Sequence, residues 1–423
     1  MARFIGTPTF LLIIWSLAFG RAVAQDRVDG VNGVNNVNVT EREGRIYTTR
    51  EHGLPPARDT SGFVRLLPAH GLQGWSIIGG DAVIERDGDS LHGHGNAGRN
   101  TFLVSDRTFG DFVLEGEIMI NEGGNSGWQV RSHRNVPGDR NSGVRGYQIE
   151  VDSSSRNWSG GFYDELRRGW IHSFAEDPSA REAFRNNEWN HYRIECDGPH
   201  VRTWVNGIAC ADVIDFADLQ GVIAFQVHSG NCDVRWKNLR IQEKGTSGFR
   251  SMDPWSGGVG LFRSANGSTV ARAGFEPVTI SNELDGGDST IRMRYELDGR
   301  AIVRLRPEDS KKSLLTVHLE NDVREGRSKA MTASENGSEE SRFPVVAEGA
   351  GVDVSKVDSG QELIIDVEGC RLTVILDGSV LHRVRTDEPM VPKRIEIELL
   401  PKESEIRIQE SLAIKRTRPI PRN

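Results

Sequence analysis

From Gly62 onward the chain consists of short runs in which apolar and polar residues alternate, broken by Gly, Asn and Asp at a spacing of roughly 8 to 12 residues. A period of two sends successive side chains to opposite faces of a strand, so such runs bury one sheet face each and assemble as a sandwich or barrel. The clearest runs are 112–121, 126–132, 146–152, 191–196, 200–205, 221–228 and 234–241. Asp197-Gly198 and Asn206-Gly207 stand between runs and supply the left-handed backbone that tight hairpins require. Helical periodicity is nearly absent, and the fold class is all-β.

An internal repeat sets the domain number. The segment from Tyr192 to Gly207 lines up without gaps on Leu363 to Gly378, with coincident glycines and the same apolar alternation. Val234 to Ile241 has a looser echo in Ile406 to Ile414. A repeat this long means tandem domains, not a solenoid. The chain divides into a signal peptide over 1–24, a low-complexity leader over 25–60, a first sandwich over 61–243, a linker over 244–258, a degenerate second sandwich over 259–415 and a tail over 416–423.

The signal peptide is expected from Arg3, the apolar run Phe10 to Phe19, and Ala22-Val23-Ala24, the charged, apolar and small-residue order of a cleavable leader. No later window approaches the length of a membrane-spanning helix, and no cysteine stands near the cut to carry a lipid. A periplasmic or secreted protein without a membrane partner is the expectation. With 52 basic against 60 acidic residues and no basic face, nucleic acid is disfavoured as a partner. Cys196, Cys210, Cys232 and Cys370 form no CxxC pair and no Cys/His spacing suited to tetrahedral zinc. They are either buried free thiols or include one disulfide through Cys210.

Strand parity gathers the polar side chains. Gln148, Glu150 and Asp152 share one face of their run, Gln129 and Arg131 project together from a second, and Gln226 and His228 from a third. An antiparallel sheet has a wet face in any case, but planar hydrogen-bonding groups in this density suit fixed hydroxyl directions. The following loop adds Tyr163, Asp164, Glu165, Arg167, Arg168 and Trp170, which combine stacking surface with charge.

These residues resemble the 3-keto-disaccharide hydrolase domain family over about 61–243. The resemblance rests on Gly62-Phe63 with Leu72-Gln73-Gly74-Trp75, on Asp111-Phe112, on Gly124-Asn125-Ser126-Gly127 with Arg131, and on Gly146-Tyr147-Gln148-Ile149-Glu150-Val151-Asp152. It continues through Gly161-Phe162-Tyr163-Asp164-Glu165, Glu188-Trp189-Asn190, Trp204-Val205-Asn206-Gly207 and Ile223-Ala224-Phe225-Gln226-Val227-His228. The resemblance implies a concanavalin A-like or laminin G-like jelly-roll sandwich, and hence two in tandem. It also implies action on a glycoside whose C3 hydroxyl has been oxidised to a ketone. That ketone acidifies the C2 proton, so a modest base starts elimination of the C1 substituent and water then adds back.

Such a route needs a base at C2, positive charge at the enolate oxygen and an acid for the leaving oxygen. Glu150 or His228 is the candidate base, Arg131 the oxyanion partner, and Asp152 or Glu165 the acid or a neighbour that tunes the pair. Gln129, Gln148, Tyr163, Arg167, Arg168, Gln226 and Trp170 are candidates for holding substrate. No cofactor is required; Glu150, Asp152 and His228 together form a donor set that a divalent metal would also accept. Glu150-Val151-Asp152 also resembles the strand of laminarinase-like retaining glycosidases, although Gln148 and Ser154 stand where partner carboxylates would be needed. A non-catalytic carbohydrate-binding module is the third reading. The second sandwich lacks the GNSG, QIEVD and YDE segments and is expected to be a packing or binding partner.

Overall fold

The alternating runs form strands where the pattern marks them. The computed structural model describes residues 47–49, 62–135, 143–175, 177–264, 267–307, 313–322, 327–333, 361–377, 379–386, 388–401 and 404–416. The expected signal peptide, most of the leader and all but Arg416 of the tail lie outside these residues. In chain order the first half carries β1 Tyr47–Thr49, β2 Val64–Arg65, β3 Trp75–Gly79, β4 Val83–Asp87, β5 Ser90–Ala97, β6 Thr101–Ser105, β7 Asp111–Ile120 and β8 Asn125–Arg134. It continues with β9 Val144–Asp152, β10 Phe162–Glu165, β11 Gly169–His172, the single helical turn α1 Pro178–Arg181, β12 Asn190–Asp197, β13 His200–Val205, β14 Ile208–Ile214, β15 Val222–Val227 and β16 Gly230–Gly245. Among the described residues no helix is long and apolar enough to cross a membrane.

These strands form two antiparallel layers. The first runs β1-β14-β13-β12-β7-β16-β5-β4 and the second β11-β10-β9-β8-β15-β6-β3. The apolar members of each alternation meet between them: Phe112, Leu114, Tyr192 and Ile194 from one layer face Trp128, Tyr147, Ile149 and Phe225 from the other. Each such burial contributes about 1.5–3 kcal/mol. Trp128 stacks on Tyr192 across the layers at 5.5 Å. By the same parity Gln129, Gln148, Glu150 and Gln226 lie on the outer face of the second layer.

The second half carries β17 Phe249–Ser251, β18 Ser256–Gly257, β19 Leu261–Arg263, β20 Thr269–Arg272, β21 Val278–Glu283, β22 Ser289–Arg306, β23 Leu315–Asp322 and β24 Arg327–Ala333. It ends with β25 Gln361–Glu368, β26 Arg371–Leu376, β27 Ser379–Arg385, β28 Arg394–Leu399 and β29 Glu405–Lys415. The pairing β27-β26-β25-β22-β29-β20-β19 repeats β14-β13-β12-β7-β16-β5-β4 strand for strand. The repeated segment keeps its register: Tyr192 pairs Val205 and Asp197 pairs His200, while Leu363 pairs Leu376 and Glu368 pairs Arg371. Its turns are the same too, with φ of +54° at Gly198 and +55° at Gly369, and +51° at Asn206 and +50° at Asp377. The other layer, β24-β23-β22-β28-β21-β18, matches β10-β9-β8-β15-β6-β3. One 18-residue strand, β22, therefore does the work of both β7 and β8. It runs from one layer into the other where the first domain inserts the turn before Asn125.

Two boundaries differ from the expectation. Tyr47–Thr49, inside the expected leader, pairs with β14. Part of the expected linker is built into sheets: β16 runs to Gly245, β17 pairs with β29 and β18 with β21.

The two sandwiches are joined through β13 and β14 on one side and β25, β26 and β29 on the other. Ile214 and Phe216 share a buried cluster with Ile364, Ile375 and Ile414. Beside it the Arg202 fork donates to both Glu368 oxygens at 2.8 and 2.6 Å. His200 Nε2 lies 3.1 Å from Asp366, which also receives Arg416. Burial alone would raise the Asp366 carboxyl, but Arg416 and His200 hold it well below the usual carboxylate range. Arg202 is 4% exposed, so Arg202→Ala leaves Glu368 and Asp212 facing each other in a dry interface. A loss of about 3–5 kcal/mol is expected in denaturant unfolding, together with new proteolytic cleavage between the sandwiches.

Candidate active site

The outer face of the second layer is ordered in rows by its register. Gln226 of β15 stands opposite Gly127 of β8, and Gly127 opposite Glu150 of β9. In the next row Gln129 stands opposite Gln148, and Gln148 opposite Tyr163 of β10. Gly127 is needed here because a Cβ would lie 2.5 Å from the Gln148 amide carbon, whose side chain crosses this position on its way to Glu150. The strand opposite Glu150 thus offers backbone, with the Gln148 side chain lying where a side chain on Gly127 would stand.

Gln129 donates to Gln148 Oε1, and Gln148 Nε2 donates to Glu150 Oε2 at 2.8 Å. Asn125 Nδ2 reaches Glu150 Oε1 at 2.6 Å. Arg156, from the loop after β9, donates Nη2 to Glu150 at 3.2 Å and Nε to Asp152 at 2.7 Å. The guanidinium also lies over the rings of Trp158 and Trp170, at 4.9 and 5.1 Å. Trp170 meets Tyr163 edge-on at 5.1 Å.

The two carboxyls on β9 are driven apart. Glu150 is 3% exposed, and burial raises it to about 7 despite Arg156, Asn125 and Gln148. Burial acts on Asp152 in the same direction, yet hydrogen bonds from Ser154 and Arg156 outweigh it and keep that carboxyl below its usual value. Environments that separate a titratable pair in this way assign one member to proton transfer and the other to fixed charge. Glu165 is likewise raised to about 7 by burial and by Asp164, and Tyr163 to about 12 by burial and by Glu165 and Glu150. Gln226 Oε1 and Trp170 Nε1 are buried without a hydrogen-bond partner, so an acceptor and a donor on this face are unused.

The structure brings Glu150, Asp152, Gln129, Gln148, Gln226, Tyr163, Glu165 and Trp170 to this face and separates others from it. Arg131 is the clearest correction. A bulge between Gln129 and His133 turns it, at φ +50°, away from the face. Fully buried, it donates to Gly110 O at 2.8 Å, to Gly198 O at 2.5 Å and to Asp111 at 2.6 Å. Arg167 and Arg168 are also withdrawn. Asp164 stands opposite Tyr147, on the core side of β10, and draws both guanidinia over the Tyr147 ring. There they pair with Asp218 and Asp215, each at 2.5 Å. His228 lies one residue beyond the end of the β15–β8 ladder, with Nδ1 2.9 Å from Ser229 O. It keeps the parity of Gln226, but β8 separates its strand from that of Glu150 by about 10 Å. No hydrogen bond joins it to Glu150 or Asp152 among the described residues.

Arg156 carries the charge that the sequence reading gave to Arg131. Its only sequence signal was a position four residues after Asp152 and six after Glu150, in a loop where parity says nothing. Among the described residues three metal-ligating side chains converge in one place, Glu85, His92 and His94, and not at Glu150, Asp152 and His228. All four cysteines are free thiols, including Cys210, and burial raises Cys196 to about 12. A cavity of about 510 Å³ opens over the other layer, between Phe63, Arg86, Glu115, His191 and Arg240. There burial would raise Glu115, but the neighbouring His191, Arg240 and Arg193 side chains bring it down to about 2, a fixed anion. On the second sandwich's counterpart of the Glu150 layer, Arg304 pairs with Glu398 at 2.5 Å and Arg306 with Glu396.

No curated protein matches the chain. Among solved structures, the carbohydrate binding module CBM66 from Bacillus subtilis is 18% identical, covering 40% of this chain and 96% of the module, with a TM-score of 0.32. The Bacillus licheniformis β-glucanase is 11% identical, covering 41% of this chain and 99% of the enzyme, with a TM-score of 0.28. Residues 62–242, which hold Glu150 and every side chain around it, match the family described as the 3-keto-alpha-glucoside-1,2-lyase-like domain.

Proposed function

We propose that residues 62–242 form a carbohydrate-active enzyme domain that cleaves 3-keto-glycosides by elimination across C1 and C2, followed by addition of water. The observation that carries this reading is Glu150: a buried carboxyl raised to about 7, beside an Asp152 held charged. Glu150 takes the C2 proton, since a base near the working pH gives the best balance of ionised fraction and basicity. Arg156, anchored on Asp152 and on the Trp158 and Trp170 rings, supplies positive charge for the enolate oxygen. The proton that Glu150 takes from C2 passes back to the departing C1 oxygen, since Glu165 stands opposite Gly146, four residues along β9 from Glu150. Gln148, Gln226 and Trp170 hold ring hydroxyls. The leader-like N-terminus supports action outside the cytoplasm.

The test is to incubate the protein with a panel of 3-keto-glucosides and their unoxidised parents in D2O. Aglycone release from the 3-keto compounds, with deuterium entering C2 faster than in enzyme-free controls, is expected. Release from the unoxidised parents would instead identify a glycosidase that needs no ketone, and binding without release a carbohydrate-binding module.

A further inference from the structure

We propose that Glu85, His92 and His94 bind a divalent transition-metal ion of the zinc class on the outer face of the first layer, away from Glu150. On β5 the alternation puts Leu91 and Gly93 toward the core, where a Cβ on Gly93 would lie 2.4 Å from Val227 Cγ2. His92 and His94 therefore project together outward, their ring centroids 4.4 Å apart. The neighbouring strands bring an acid from each side. Glu85 of β4 stands opposite His92, with its carboxylate 3.6 Å from His94 Nε2. Asp233 of β16 stands opposite His94, with its carboxylate 3.0 Å from His92 Nε2. The ligand atoms of Glu85, His92 and His94 all lie within 4.8 Å of one another.

Bonds of about 2.0–2.2 Å around a tetrahedral zinc set its ligand atoms roughly 3.4 Å apart. The cluster reaches this by small side-chain rotations, since Glu85 is solvent-facing and His94 half-exposed. Its backbone is fixed by three hydrogen-bonded strands, which suits a preorganised site. Two imidazoles and a carboxylate favour zinc, copper or nickel over calcium or magnesium. Asp233 acts as the outer carboxylate that orients a ligating ring. Spacing along the chain conceals the set, because the two acids come from other strands.

The experiment titrates untagged, chelator-treated full-length protein with ZnCl2 by calorimetry at pH 7.5. One equivalent binding at micromolar Kd or tighter is expected, with an upward shift in melting temperature. His92→Ala, His94→Ala and Glu85→Gln each weaken binding by at least about 10-fold, and Asp233→Asn by about 10- to 100-fold. No saturable one-to-one binding, or unchanged affinity in the doubly substituted His92→Ala, His94→Ala protein with its metal-free melting temperature retained, would overturn the assignment.

Discussion

Glu150→Gln is expected to lower turnover of a 3-keto-glycoside by about 10²- to 10⁴-fold, the usual cost of losing a general base. Glutamine keeps the shape of the side chain and its contact with Asn125, but it cannot accept the C2 proton. The fold is expected to survive and, at alkaline pH, to gain. Glu150 has a folded pKa of about 7 against an ordinary 4.5, so the folded state holds a proton that the unfolded state has released between those values. Stability from this group is complete below about pH 4.5 and is lost as pH rises through 7. The shift corresponds to an order of 3 kcal/mol at pH 8, a cost that Gln removes. The variant should therefore melt above the parent at pH 8 and close to it at pH 4.5. The parent's kcat/KM should fall as pH drops below about 7, where the base becomes protonated. Unchanged turnover by the variant on a substrate that the parent demonstrably uses would remove Glu150 from the mechanism.

Arg131→Ala is expected to cost about 3–5 kcal/mol of stability, the range for removing one partner of a buried ion pair. Arg131 and Asp111 are both fully buried at 2.6 Å, and Asp111 also receives Gly198 N at 3.0 Å and Ser247 N at 2.9 Å. Alanine would strand the carboxylate and the Gly110 and Gly198 carbonyls in the interior. Arg131→Lys should rescue little, because an ammonium cannot reproduce the fork. The measurement is urea unfolding alongside turnover. A variant that melts like the parent but has lost turnover would return Arg131 to the catalytic role that its sequence position suggests.

The difference between these two residues shows how far parity reaches. Along β9, which is regular, alternation alone placed Gln148, Glu150 and Asp152 together, and along β15 it placed Gln226. Along β8 the same rule failed after Gln129, because a bulge adds a residue and reverses the faces beyond it. Bulges are set by what the neighbouring strands and layers demand, and here the demand is the buried Asp111. Arg167 and Arg168 failed for a related reason. Their loop is short, so Asp164, opposite Tyr147, captured both before either reached the Glu150 face.

The sequence by itself determined the all-β class, the two sandwiches and the hairpin register that repeats from Tyr192 to Gly207 and from Leu363 to Gly378. Those features follow from period-two alternation and from turns that need a left-handed residue, both local properties of the chain. Only the tertiary structure decided that β22 replaces two strands, that Arg156 and not Arg131 faces Glu150, and that Glu85, His92, His94 and Asp233 meet. Each of these depends on which distant strands are hydrogen-bonded side by side, and on the burial that raises Glu150 while hydrogen bonds and Arg156 hold Asp152 charged. No window of the sequence contains that information.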